Sequence, residues 1–215
     1  MNDTSVLTME HYSERLEQAL VFAAQLHRGQ RRKDGDVPYL AHPLAVCSLV
    51  AESGGNEDQM IAALLHDGPE EAGGLACLQE IRQRFGDKVG ELIDWCTDTY
   101  EKPEPPWYPR KKAYLERLQS APPEALLIVV ADKVHNVRSL LRLFRREGLA
   151  CFQRFRGGLE GTLWYYREMV RLFRQRLADC ELTHELACLV EELQRRLENL
   201  HICMDSLDGS PPATG

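Results

Sequence analysis

Apolar residues recur at helical spacing along almost the whole chain, and this periodicity limits the possible folds more than any other feature. The first case spans about residues 12–28, where one helix face carries Leu16, Leu20, Ala23 and His27. The apolar run LLIVVAD is rich in β-branched residues, yet its helical flanks favour a helix there as well. The sequence therefore predicts an all-α, multi-helix bundle, with further helices at about residues 43–53, 57–67, 78–85, 89–97, 110–119 and 124–146.

The helical pattern continues beyond this bundle. Two apolar stripes follow, the first through Leu159, Leu163, Tyr166 and Val170 and the second through Leu186, Leu189, Leu193 and Leu197. These helices either complete the bundle or form a coiled-coil hairpin. We expect a main domain at 1–148, a helical extension at 149–204 that packs on it, and a disordered tail at 205–215.

Charge and cysteine usage narrow the class of protein. The chain has 215 residues with 26 Lys and Arg against 33 Asp and Glu, a net charge of −7, so we expect no nucleic-acid partner. Its seven cysteines form no CxxC pair and are interpreted as reduced and structural. The first residues lack a basic start followed by an apolar run, so we expect no secretory signal, and no apolar stretch reaches the roughly 18 residues of a membrane span. We expect a cytoplasmic protein with no membrane partner.

Four potential metal ligands stand in three separate segments: His42 in YLAHP, His66 and Asp67 in AALLHDG, and Asp132 in VVADKVHNV. Two imidazoles and two carboxylates suit Mn, Fe, Zn or Mg-type ions better than a metal that prefers thiolates. A carboxylate that ends an apolar run would be costly to bury without a partner, and a metal ion would satisfy it. The alternative is that each His is a hydrogen-bonded core residue and each Asp caps a helix.

Four sequence blocks, taken in order, resemble the hydrolase domain of the RelA/SpoT alarmone enzymes and the short SpoT-homologue hydrolases. The resemblance covers about residues 14–145 and rests on HRGQRRKDGDVPYLAHP, AALLHDGPEE, RFGDKVGELIDWCTD and ADKVHNVRSL. It implies an HD-domain helical bundle and metal-dependent phosphohydrolase activity. It also implies that His42, His66, Asp67 and Asp132 hold one divalent ion, usually Mn²⁺.

The resemblance assigns the catalytic acids to Glu70 and Glu71, one of which would orient or deprotonate the attacking water. The alternative is a solvated acidic turn. This chain departs from the family in having Gly68-Pro69 before the pair, where apolar or small residues are usual, and Glu71 where Asp is usual. Proline cannot donate to a helix ladder, so the departure is expected to disturb the helix and to move the carboxylates.

The resemblance places the substrate-binding residues in two of these blocks. Arg32 and Lys33 resemble a nucleotide clamp, in which a guanidinium stacks on a purine and an ammonium pairs with phosphate. Asn136 is expected on the ribose or phosphate side. Tyr39 is expected near the pocket, in ligand contact or core packing, and Arg138 either binds substrate or forms a surface ion pair. The segment from Trp107 to Lys112 is a basic lid or a plain proline-rich connector.

The implied reaction is removal of the 3′-pyrophosphate from a guanosine or adenosine 3′,5′-polyphosphate such as ppGpp. The products would be the nucleoside 5′-phosphate and pyrophosphate. Two alternatives stay open from the sequence. One is hydrolysis of another nucleotide phosphate ester, such as NADPH. The other is a catalytically inactive HD module that senses nucleotides.

Overall fold

The computed structural model describes residues 13–32, 36–101 and 103–207, and these form a helical bundle. The only β pairing among them is an isolated bridge between Arg31 and Pro38. The helices are α1 (Glu14–Leu26), α2 (Ala41–Glu52), α3 (Glu57–Leu65), α4 (Gly74–Phe85), α5 (Asp87–Cys96), α6 (Trp107–Leu118), α7 (Pro123–Glu147), α8 (Gly158–Arg176) and α9 (Glu181–Leu207). The predicted all-α class is confirmed, and the run LLIVVAD lies inside α7.

Capping and backbone chemistry set several helix boundaries. Asn56 and Gln59 form a reciprocal capping box at the start of α3, with the Asn56 side chain accepting from the Gln59 N–H at 3.0 Å. Helix α2 begins at Ala41, so the prediction that Pro43 is its first residue is wrong. Pro43 is still tolerated in the first turn, because backbone N–H groups there have no intrahelical partner. Helix α5 follows Gly86, whose φ of 95° favours glycine.

Helix α3 lies in the middle of the bundle. Its residues from Ile61 to Leu65 are fully buried, and it contacts α1, α2, α5 and α7. Each buried Leu or Ile side chain contributes about 1.5–3 kcal/mol of transfer free energy, so this helix anchors its neighbours. Because α2, α3 and α7 all contact one another, the residues at their facing ends are fixed relative to one another.

The C-terminal helices form a hairpin on the outside of α7. Helix α9 packs along α7, and α8 contacts α6, α7 and α9. A 3-10 helix at Gly148–Arg154 joins α7 to this hairpin. Helix α9 runs three residues into the predicted tail, and residues 208–215 lie outside the described part of the chain. No helix among the described residues is long and apolar enough to cross a membrane.

Candidate metal and active site

Three helices bring the predicted ligands together. His42 is the second residue of α2, His66 and Asp67 follow the end of α3, and Asp132 lies in the middle of α7. His42 Nε2 lies 3.3 Å from Asp67 Oδ2 and 3.1 Å from Asp132 Oδ1. His66 Nε2 lies 3.2 Å from Asp67 Oδ1 and 3.9 Å from Asp132 Oδ1. Two imidazoles and two carboxylates therefore converge on one small volume.

The donor set fits a divalent metal ion. One ligand atom from each of His42, His66 and Asp67 lies within 4.8 Å of the others. His66 Nδ1 donates to the Ala63 carbonyl at 2.8 Å, so in the neutral ring the lone pair is on Nε2, where a metal ion could replace a proton. That Nε2 atom is buried and has no hydrogen-bond partner. A buried lone pair that faces two carboxylates is what a cation would satisfy.

The electrostatics of the cluster favour a cation as well. Burial lowers the pKa of His66, but Asp67 and Asp132 outweigh it and raise that pKa to about 9. Burial tends to raise the pKa of Asp132, yet Lys133 and the two histidines hold it well below its usual range. Both effects show that this pocket stabilises positive charge beside ionised carboxylates, the environment that a divalent ion requires.

Two further residues orient the ligands, and the sequence patterns did not single out the first. His135 Nδ1 lies 2.7 Å from His42 Nδ1. Burial, together with His42 and Arg32, lowers the pKa of His135 to about 3, so this ring is neutral and its Nδ1 can accept a hydrogen bond from the His42 Nδ1–H. The Nε2 lone pair of His42 then faces the carboxylates. Tyr39 donates its hydroxyl to Asp67 Oδ2 at 2.8 Å, which orients that carboxylate.

The acidic pair lies on a π-helical turn, Pro69–Gly73, directly after the ligands. The Glu71 N–H donates to the Asp67 carbonyl at 2.9 Å, so the chain continues in helical form through the Gly-Pro spacer. The expectation that this spacer disrupts the helix is therefore only partly met. Pro69 occupies the first position of the turn, where its missing N–H costs little. A Cβ at Gly68 would lie 3.2 Å from both Cys77 Sγ and Leu26 Cδ1, so any larger side chain there would require these neighbours to shift.

The two acids differ in their surroundings. Glu70 is half-buried, and its Oε1 accepts the backbone N–H of Asp98 at 2.8 Å. Burial, then Asp98 and Asp67, raise the pKa of Glu70 to about 7. Glu71 is exposed to solvent. An oriented carboxylate with a pKa near neutrality suits a general base, so the geometry favours Glu70 over Glu71 for that task.

The predicted substrate residues divide into three groups. Arg32 donates to Asn136 Oδ1 at 2.7 Å and lies over the Tyr39 ring, while Asn136 donates to Asp132. These residues therefore adjoin the ligand cluster. Arg138 instead pairs with Glu185 of α9 at 2.6 Å and does not line the cavity, so the structure does not bring it to the site. Lys33 lies outside the described residues.

A cavity of about 490 Å³ opens beside the cluster. Its basic wall includes Lys111 and Lys133, which pair with Asp98 and Asp132 at 2.5 Å each. The segment predicted as a basic lid or connector, from Trp107 to Lys112, forms the first turns of helix α6. Arg110 is nearly buried against Asp98, and Tyr108 and Lys112 are exposed. Residues that the sequence patterns did not assign also line this cavity: Gln30, Cys96, Asp98, Lys133, Leu140, Leu143, Phe155, Thr162, Tyr165 and Tyr166.

A family model described as "HD domain" matches residues 19–162, well over half of the chain. The chain belongs to the HD domain family. The family prediction made from the four sequence blocks is thereby confirmed.

Relatives of this HD domain include human MESH1, named a guanosine-3′,5′-bis(diphosphate) 3′-pyrophosphohydrolase. It is 37% identical over 130 residues, which are 59% of this chain and 70% of MESH1. A GTP pyrophosphokinase of Streptomyces antibioticus is 37% identical over 134 residues, and these cover 61% of this chain but only 15% of that enzyme. A solved structure described as a metazoan ortholog of SpoT that hydrolyzes ppGpp superposes with a TM-score of 0.71. It shows 26% identity and covers 85% of this chain and 97% of its own.

Signals for the missed residues were present in part. His135 follows Asp132 by three residues, so both lie on one helix face, and this spacing could have identified it. Lys133 adjoins Asp132 in the same block. The cavity residues of α8 lie beyond the four blocks, and only the folded bundle places them beside the HD ligands.

Proposed function

We propose that this HD domain is a metal-dependent phosphohydrolase. Its substrate would be a guanosine or adenosine 3′,5′-polyphosphate such as ppGpp, and it would remove the 3′-pyrophosphate. The observation that carries the proposal is the convergence of His42, His66, Asp67 and Asp132 beside the half-buried Glu70, at a cavity whose lining also includes Arg31, Arg32, Lys111 and Lys133. The names of the relatives, MESH1 among them, support this choice of substrate.

The proposed metal ligands are His42, His66, Asp67 and Asp132, and the proposed ion is Mn²⁺. The mixed nitrogen and oxygen donors, the unpartnered Nε2 of His66 and the two ionised carboxylates support a divalent ion. When bound, such an ion would polarise a phosphoryl oxygen and lower the pKa of water. His135 and Tyr39 would act by holding His42 and Asp67 in orientation.

Glu70 is proposed as the general base, with Glu71 as an auxiliary carboxylate at the cavity wall. The Asp98 N–H fixes one oxygen of Glu70, so the other is available for water. Glu70 removes a proton from that water as it attacks the phosphorus bonded to the ribose 3′-oxygen. The P–O bond to the ribose breaks, and the proton taken from water is returned to the leaving 3′-oxygen. Pyrophosphate is released together with the nucleoside that keeps its 5′-phosphates, which for ppGpp is the 5′-diphosphate.

The proposed substrate contacts are Arg32, Lys33 and Asn136, with Tyr39 at the wall between them and the metal ligands. Arg32 donates to Asn136, which in turn contacts Asp132, so a guanidinium stacked on the purine and an Asn136 on the ribose or phosphate side would both adjoin the ligand cluster. Arg138 is not among the proposed substrate contacts, because its guanidinium is paired with Glu185.

We also propose that the chain consists of a main domain at 1–148 and a helical extension at 149–204. Contacts of α8 and α9 with α7 support an extension that packs on the bundle. A cytoplasmic location is also proposed, because the described cysteines are all unpaired and reduced thiols are typical of that compartment.

Pyrophosphate release from a panel of nucleotides, with Mn²⁺ present, tests the function. The panel contains ppGpp, its adenosine counterpart and NADPH, and the Glu70→Gln variant is the inactive control. Release of pyrophosphate from a 3′-diphosphate by the wild type alone is the expected result. If the protein instead releases only orthophosphate, and only from NADPH, its substrate is another nucleotide phosphate ester and not a 3′-diphosphate. Nucleotide binding without turnover would indicate the sensing module instead.

A further inference from the structure

His27 is a buried histidine that the proposed chemistry does not use. It is the C-cap residue of α1, it is only 3% exposed, and it is not among the residues that line the cavity. Its Nδ1 lies 2.8 Å from Gln30 Oε1, which is an acceptor, so Nδ1 is the nitrogen that carries the proton. Among the described residues, its Nε2 is buried without a hydrogen-bond partner. The contacts of the flat ring, rather than the second nitrogen, therefore indicate what this position does.

The His27 ring stacks on the ring of Tyr39. The two planes differ by 19° and the centroids are 4.8 Å apart, which is a close stacked pair. His42 meets the Tyr39 ring edge-on, with centroids 6.2 Å apart. The Tyr39 hydroxyl lies in the plane of its ring and donates to Asp67 Oδ2 at 2.8 Å. A neighbour that fixes the plane of the phenol therefore also fixes the direction from which the hydroxyl reaches the proposed metal ligand.

The same two rings lie where the loop between α1 and α2 closes. The Tyr39 N–H donates to the Gln30 carbonyl at 3.0 Å, and the Gln30 N–H donates to the His27 carbonyl at 3.1 Å. Gln30, Arg31 and Arg32 of this loop line the cavity. The Arg32 guanidinium carbon lies over the Tyr39 ring, 5.8 Å from its centroid. Tyr39 is therefore in contact with His27 and with a proposed substrate contact as well as with a proposed metal ligand.

We propose that His27 is a positioning residue, which acts through Tyr39 to hold Asp67 and the loop between α1 and α2 in their places. The inference rests on the proposed function, because Asp67 is a proposed metal ligand and Arg32 a proposed substrate contact. Tyr39 transmits the two effects through different atoms. Its hydroxyl transmits the effect on Asp67, and its ring transmits the effect on the loop. Removal of the hydroxyl alone therefore separates the two effects.

Mn²⁺ affinity, measured by chelator competition without substrate, tests the effect on Asp67. Tyr39→Phe removes the hydroxyl and should weaken Mn²⁺ binding by roughly 10–100-fold. His27→Leu keeps an apolar side chain but removes the stacked ring, and it should weaken binding by about two- to tenfold. His27→Phe restores a flat ring and should bind Mn²⁺ nearly as the wild type does. In the Tyr39→Phe background, His27→Leu should cause no further loss, because the hydroxyl that transmits the effect is already absent.

Phe22→Leu is the matched control for a general loss of stability. It removes another buried ring from α1, and that ring packs on Phe85, with centroids 5.9 Å apart, rather than at the cavity. This variant should lower Tm and leave Mn²⁺ affinity unchanged. The proposal is overturned if His27→Leu keeps the wild-type affinity, if its loss persists in full after Tyr39→Phe, or if Phe22→Leu reproduces that loss. A wild type that binds no Mn²⁺ would overturn it together with the proposed metal site.

Calorimetric binding of ppGpp to metal-free protein, in which turnover is absent, tests the effect on the loop. His27→Leu should weaken this binding by about two- to tenfold in the wild-type and Tyr39→Phe backgrounds alike, because both keep the aromatic ring at position 39. Unchanged ppGpp binding in both backgrounds would overturn the role of His27 in the loop. Mn²⁺ binding that depends on His27 and Tyr39 as expected, in a protein that hydrolyses no nucleotide, would refute the proposed function and leave the positioning role intact. An active enzyme without that dependence would do the reverse.

Discussion

Replacement of Glu70 by glutamine should make the protein more stable and nearly inactive. The substitution keeps the shape of the side chain, and the amide oxygen can still accept the Asp98 N–H. It removes the charge that a general base needs, so kcat should fall by on the order of 10²–10⁴. Because Glu70 is not among the proposed metal ligands, metal content should stay at the wild-type level.

The gain in stability follows from the raised pKa. Burial, with Asp98 and Asp67, moves the pKa of Glu70 from 4.5 to about 7 on folding. The folded state therefore holds this proton more tightly than the unfolded state, and stability is lost as pH rises from 4.5 through 7. Well above pH 7 the ionised carboxylate destabilises the fold by on the order of 3 kcal/mol, and glutamine carries no such penalty.

Urea unfolding of metal-free protein at pH 5 and pH 8 measures the effect. The advantage of Glu70→Gln should be large at pH 8 and mostly absent at pH 5. Glu71→Gln is the matched control, because Glu71 is exposed and its replacement should change stability by less than about 0.5 kcal/mol. A Glu70→Gln variant that is no more stable than wild type at pH 8, or that keeps full turnover, would refute this reasoning.

Four further substitutions test a metal ligand, the residue that orients another ligand, a substrate contact and the spacer before the acidic pair. Asp132→Asn should abolish metal binding by elemental analysis, and retained metal would exclude it as a ligand. His135→Leu should weaken metal affinity by roughly 10–100-fold in a chelator competition, because His42 loses its orienting partner; unchanged affinity would contradict that role. Arg32→Ala should raise KM by about ten- to a hundredfold with normal metal content, and a wild-type KM would remove it from the substrate site. Gly68→Val should destabilise by about 1–3 kcal/mol in urea unfolding and bring no gain in rate, since its side chain meets Cys77; a faster enzyme would show that the spacer displaces the acids.

Helical periodicity was sufficient to predict the fold class, because an apolar stripe can be buried only against other helices. The helix boundaries were less certain from the sequence. Helix α2 starts two residues before Pro43, and α3 ends at Leu65 rather than Asp67. Both differences arise because local signals at helix ends compete with tertiary packing, and only the local signals can be read from the sequence.

The candidate ligands could also be found from the sequence, since His42, His66, Asp67 and Asp132 are the residue types that bind a divalent ion and each adjoins an apolar segment. That they meet is a property of tertiary structure, because His42 and Asp132 are 90 positions apart and only the packing of α2, α3 and α7 brings them within 3.1 Å. The π-helical turn decides that Glu70 is oriented inward while Glu71 is exposed. Closure of the loop between α1 and α2 decides that the His27 ring stacks on Tyr39. In each case the sequence determined which chemical group was present, and packing of distant segments determined its direction and burial, on which its chemistry depends.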